Sequence, residues 1–80
     1  MRQNKETLKD IQDIMQRFFK DPGLIILENT TAHDIDAWDS LNHMGLINEI
    51  EKKFKLKFDF FEIMDLENIG DLIQCIQNKM

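Results

Sequence analysis

The sequence predicts an all-α fold: a small four-helix bundle of three main helices and one short helix, with a long first loop. Three observations predict it. Three separate stretches repeat apolar residues at helical spacing. The one compact apolar run, Leu24-Ile25-Ile26-Leu27, has no second clear strand to pair with. The chain has 80 residues, which suit one domain (1–80) and a core that short helices can close.

The first helix is expected over Glu6–Lys20. Leu8, Ile11, Met15 and Phe18 form its stripe, Ile14 and Phe19 widen it, and Lys9, Asp10, Asp13, Gln16 and Arg17 take the other face. Asp21-Pro22-Gly23 should end it, because proline cannot continue the ladder and glycine serves a tight turn. Leu24–Leu27 then reads as a loop segment tucked onto the bundle. Glu28–Asp39 is a long connection rich in turn and cap formers, pinned to the core by Ile35 and Trp38. A loop of this length in so small a domain tends to be functional.

The second helix runs from about Ser40 to Phe54. Met44, Leu46, Ile47, Ile50 and Phe54 share a broad apolar arc, while Asn42, Gly45, Asn48, Glu49 and Lys52 share the opposite one. Residues 55–60 loosen into a connection. Phe61–Leu66 is a short helical turn that offers Phe61, Ile63 and Met64 to the core. The last helix starts near Glu67-Asn68, with Ile69, Leu72, Ile73, Ile76 and Met80 as its stripe.

Composition excludes several classes. The net charge of −5 argues against nucleic-acid binding, which wants a basic stripe. No apolar run is long enough to span a bilayer, and no apolar segment follows Met1-Arg2-Gln3-Asn4-Lys5 as a signal peptide requires. Cys75 is the only cysteine, so no internal disulfide forms, and a cytoplasmic monomer is expected. Charge is also unevenly spread. No Lys or Arg occurs between Asp21 and Glu51, an interval holding Glu28, Asp34, Asp36, Asp39 and Glu49. Lys52, Lys53, Lys55 and Lys57 then follow together. The acidic interval either serves solubility or steers basic partners to its surface.

Trp38-Asp39-Ser40-Leu41 stands at the centre of that interval. Ser40 lies where an N-cap belongs, and the same place suits a phosphate, since free amides and the helix dipole favour an anion. It is therefore a plain cap or a phosphorylatable attachment point. A hydrolase built on Asp39, Ser40 and His43 is not supported: nothing glycine-rich precedes Ser40 to make a nucleophile elbow, and no catalytic residue is assigned. His43 falls in the apolar arc and reads as a packing histidine with one hydrogen-bond partner. His33, Asp34, Asp36 and Asp39 fail the calcium-loop spacing, with Asp39 sixth and Gly45 twelfth from Asp34, so no metal is assigned. Cys75 reads as core filler, and the six Phe residues read as core. Gly45 costs its helix about 0.8–1 kcal/mol against alanine. On the polar arc, core crowding does not account for it, so it is either a bare backbone for a partner's close approach or simply a tolerant position.

These residues together resemble the acyl carrier protein family. Asp39-Ser40-Leu41 at a helix start carries the likeness, with Leu46, Ile47, Ile50, Glu51 and Phe54 downstream and Asn68-Ile69-Gly70-Asp71-Leu72-Ile73 in the last helix. The length, the acidic balance and the long loop before the serine agree. The resemblance implies a non-enzymatic carrier domain whose Ser40 bears a covalent 4′-phosphopantetheine, transferred from coenzyme A by a phosphopantetheinyl transferase. Acyl or aminoacyl groups would be held as thioesters, supplied by a loading ligase and passed to downstream transfer enzymes in lipid, polyketide or other natural-product biosynthesis. Asp36, Trp38, Asp39, Leu41, Gly45, Glu49 and Glu51 would meet those partners. Trp38, His43, Asn42 and Gly45 look more like dedicated carriers of specialised pathways than the typical fatty-acid carrier. An unmodified helical protein-interaction adaptor is the alternative, and the Ser40 side chain discriminates the two.

Overall fold

A computed structural model describes residues 3–79, with Ser40 described by its backbone alone. Four helices form: α1 (Asn4–Phe18), α2 (Ser40–Phe54), α3 (Phe60–Asp65) and α4 (Ile69–Lys79), with a single 3-10 turn at Ala32–Asp34 in the first loop. No strand occurs among the described residues. The all-α, four-helix expectation therefore holds.

The core is almost wholly aliphatic. Ile11, Ile14 and Met15 of α1 meet Leu46, Ile47 and Ile50 of α2 and Ile69, Leu72, Ile73 and Ile76 of α4 in one cluster. Helical spacing puts each set on one face. Met80, expected in the last stripe, lies outside the described residues.

The expected helix ends shift, for local reasons. α1 begins two residues early and stops at Phe18, before Pro22 is reached. Lys20 adopts φ 56°, and Asp21 N–H reaches back to Gln16 O at 2.9 Å while Lys20 N–H meets Arg17 O at 3.3 Å. This left-handed closure satisfies the last carbonyls. α2 ends the same way: Lys55 has φ 57° and Leu56 N–H meets Glu51 O at 3.1 Å. α3 starts at Phe60 because Asp59 caps it and takes Glu62 Oε1 on its own N–H at 2.8 Å. In α4, Asn68 Oδ1 accepts from Asp71 N–H at 2.9 Å, so helical residues begin at Ile69.

The segment 24–27 is tucked onto the bundle, but polar groups tie it there. Gln16 Nε2 donates to Leu24 O at 2.8 Å, and Ile26 N–H donates to Gln12 Oε1 at 2.9 Å. Gln16 thus does not belong to a purely solvent face. Ile26 is buried, whereas Ile25 and Leu27 are exposed. The loop then caps α4: Ile69 N–H meets Thr30 O at 2.9 Å and Gly70 N–H meets Glu28 O at 2.7 Å. A Cβ on Gly70 would lie 3.1 Å from Glu28 O, so the close approach needs glycine. Ile35 is half-buried and Trp38 buried, as the pinning of the loop requires.

α3 is the least embedded helix. Ile63 enters the core, but Phe61 and Met64, expected there, are exposed, as are Phe60 and half of Met44. A six-residue helix has too few turns to bury both faces. It is held from α4 by Lys79 Nζ to Glu62 Oε1 at 2.8 Å and by Cys75 Sγ donating to Glu62 Oε2 at 3.6 Å. The Asp59 N–H and then Lys79 hold the Glu62 carboxyl below the usual carboxylate range. Burial, then the Glu62 charge, pushes the Cys75 thiol up; Cys75, expected as core filler, is half-buried at the contact between α3 and α4.

Candidate functional site

Asp39, and not Ser40, is the N-cap of α2. Asp39 is extended (φ −106°, ψ −178°), and its Oδ1 accepts from Asn42 N–H at 2.9 Å. His43 N–H bonds Asp39 O at 2.9 Å, closing the first turn. Asn42 Nδ2 also reaches back to Ala37 O at 2.8 Å, so the approach to the helix is fixed from both sides. Ser40 is the first helical residue. The amides of Ser40 and Leu41 then precede every intrahelical acceptor, leaving the helix end suited to an anion. The two chain neighbours of Ser40 are exposed, Asp39 and Leu41, the latter to 85%. Ser40 is also the only serine in the chain.

Trp38 and His43 form the second part of the site. Trp38 Nε1 donates to His43 Nδ1 at 3.0 Å, and His43 Nε2 lies 3.3 Å from Ile63 O. The rings are 5.8 Å apart and tilted by 31°. His43 is half-buried, as expected, but has two partners and bridges the loop, α2 and α3. Both ring nitrogens are committed, so the ring is not poised as a base for Ser40. A cavity of about 580 Å³ adjoins this bridge, lined by Trp38, His43, Met44, Ile63, Met64 and Leu72 among others.

The remaining expected partner residues separate. Asp36 is exposed. Glu49 is exposed and pairs with Lys52 at 4.0 Å. Glu51 is not turned outward: its Oε2 accepts from Phe58 N–H at 2.8 Å and orders the α2–α3 connection. Trp38 is buried. Gly45 is covered by α1, since a Cβ there would lie 2.9 Å from Phe18 Cζ. The expectation that crowding does not explain Gly45 is therefore overturned; the Phe18 ring lies across that arc of α2. Leu41, expected at the partner surface, is exposed; the sequence reading missed that Met44, Phe60 and Met64, which line one cavity with Trp38 and Asp39, are exposed as well. Among the described residues, no three His, Cys, Asp or Glu side chains converge as a metal site, and no helix is long and apolar enough to cross a membrane.

Comparison with known proteins adds a consistent picture. The family model for the phosphopantetheine attachment site matches residues 9–76. An acyl carrier protein of Exiguobacterium sibiricum is 27% identical over 77 residues, covering 95% of this chain and 96% of that protein. A 42-residue stretch is 40% identical to a non-reducing polyketide synthase of Emericella nidulans, covering 52% of this chain but only 2% of the synthase. In structure, the chain is similar to the holo acyl carrier protein of Geobacter metallireducens, solved by NMR in solution. The TM-score is 0.85 at 41% identity, over 91% of this chain and 84% of that one.

Proposed function

The chain belongs to the phosphopantetheine-attachment family of acyl carrier proteins, and from that premise we propose that Ser40 is the residue that bears the arm. The protein is a carrier of acyl groups and not a catalyst. Its covalent 4′-phosphopantetheine supplies the terminal thiol on which acyl groups are held as thioesters. The single observation that carries Ser40 is its place: the sole serine opens α2, between exposed Asp39 and exposed Leu41. The amides of Ser40 and Leu41, which precede every intrahelical acceptor, suit the phosphodiester that a modified Ser40 would carry. Asp39 supplies the cap, so Ser40 is not asked to serve as both cap and attachment point.

The carrier works with a phosphopantetheinyl transferase and with biosynthetic enzymes that load and unload the arm. For their contact we favour Leu41 and Met44 as the apolar centre, with Asp36, Asp39 and Glu49 as the charged rim. Trp38, Gly45 and Glu51 contribute by shaping that surface: Trp38 walls the cavity, Gly45 admits Phe18, and Glu51 orders the connection. The partial likeness to a polyketide synthase supports a specialised biosynthetic pathway over bulk fatty-acid synthesis. A single carrier domain over 1–80, acting in the cytoplasm, completes the reading. The unmodified adaptor is not favoured, because the family match spans the attachment region.

Peptide mass mapping of the protein isolated after loading with coenzyme A and a broad-specificity transferase tests this. The added mass is expected on the fragment containing Trp38–Leu41. Added mass on a fragment lacking Ser40 would overturn the assignment. On the same protein, Leu41→Ala should slow loading severalfold with the fold intact, and unchanged loading would remove Leu41 from the contact.

A further inference from the structure

We infer that His43 is a pH-operated latch that closes the cavity beside Ser40 by holding Trp38 in place as one of its walls. An indole N–H can only donate, so His43 Nδ1, 3.0 Å from Trp38 Nε1, must accept and carries no proton. The proton of the neutral ring then sits on Nε2, which faces Ile63 O at 3.3 Å. One tautomer satisfies both contacts. Adding a second proton places an N–H on Nδ1 directly opposite the Trp38 N–H. The acceptor is lost, and two donors face each other at hydrogen-bond distance.

The consequence is confined to the cavity side. Trp38 is 7% exposed, and its loop is otherwise tied nearby through Trp38 N–H to Ile35 O at 3.0 Å. Asn42 Nδ2 to Ala37 O at 2.8 Å also ties the loop to α2, and the indole bond is what holds the Trp38 ring itself to α2 and, through His43, to α3. His43 is half-buried and open to proton exchange with water. Histidine ordinarily changes charge between about pH 5 and 8. Three other titratable groups line the same cavity: His33 from the 3-10 turn, Asp39 at the cap of α2, and Glu67 between α3 and α4. α3 contributes only apolar side chains there: Phe60, Ile63 and Met64. The two carboxylates give an imidazolium alternative partners once Trp38 is released. His33 is the other histidine lining this cavity, so it must be controlled for.

Trp38 is the sole tryptophan, so its fluorescence reports the latch without ambiguity. The unmodified protein suffices, so the outcome is independent of whether Ser40 carries the arm. Between pH 8 and pH 5 the emission is expected to shift to the red and acrylamide quenching to rise severalfold, with helical circular dichroism unchanged. His43→Gln, which keeps one acceptor and one donor but does not titrate, should abolish the transition; His33→Gln should leave it in place. A flat wild-type profile, a transition that survives His43→Gln, one removed by His33→Gln, or a coincident loss of helix would each overturn the latch. Should His43→Gln fail to fold, imidazole nitrogen shifts of the wild type decide. The Nε2–H tautomer at pH 8 supports the latch and the Nδ1–H tautomer contradicts it.

Discussion

The two flanks of α2 are held by different physics. Towards the main core, Leu46, Ile47 and Ile50 join α1 and α4 through aliphatic side chains that are at most 1% exposed. Towards α3, the junction is a cavity of about 580 Å³ bridged by Trp38, His43 and the Ile63 carbonyl, with Met44, Phe60 and Met64 left open to solvent. The first flank is a close-packed interior, where every lost methylene is felt. The second depends on two directional bonds and retains space. A carrier needs both: a rigid scaffold to fix the helix start, and an adaptable side on which a cargo and its enzymes can be met.

The sharpest way to break this comparison is to truncate one residue on each flank. Ile50→Ala should cost about 2–5 kcal/mol, because Ile50 is fully buried and leaves a cavity. Met64→Ala should stay within about 0.5 kcal/mol, since Met64 is 64% exposed. Urea unfolding measures both, and similar costs would erase the distinction.

The close-packed flank was legible from sequence because a 3.6-residue period needs only residue type and spacing. Ile11, Met15, Leu46, Ile50, Ile69 and Ile76 all fall where the stripes put them. The cavity flank was not. Phe61 and Met64 are apolar by type yet exposed, because burial on a six-residue helix is set by where that helix docks. Gly45 was misread because the wheel of α2 shows the core but not the Phe18 ring arriving from α1. Ser40 was correctly placed at the helix start, but the cap moved one residue to Asp39, within the usual uncertainty of a helix boundary.

Gly45 sharpens the boundary between the flanks. Helix propensity favours Gly45→Ala by about 0.8–1 kcal/mol, and displacement of the Phe18 ring opposes it. In wild type the two should nearly cancel. In a Phe18→Ala background, Gly45→Ala should recover the full gain. A double-mutant cycle with no coupling would show that the ring does not bear on Gly45.

A smaller effect separates the cap from the attachment residue. Asp39→Ala should cost about 1 kcal/mol from the lost bond to Asn42 N–H. Ser40→Ala should change stability by about 0.5 kcal/mol or less. The reverse order in thermal melts would return the cap to Ser40.

The smallest effect concerns how α3 is fastened. Because folding lowers the Glu62 pKa, its contribution is present above the ordinary carboxylate range and fades as pH falls through that range. Lys79 is the mirror case, raised by Glu62, so its contribution is present below its ordinary value and fades only at strongly alkaline pH. Glu62→Gln should therefore be less stable than wild type at pH 7, and the gap should narrow by pH 3. A gap that does not change with pH would mean the Glu62 charge plays no part in holding α3.

The most direct test of the central claim is an intact mass of wild type and Ser40→Ala after incubation with coenzyme A and a broad-specificity phosphopantetheinyl transferase. Wild type is expected to gain one phosphopantetheine, while Ser40→Ala, folded by circular dichroism, gains none. A folded Ser40→Ala protein that still takes up the arm, or a wild type that never does, would contradict the account.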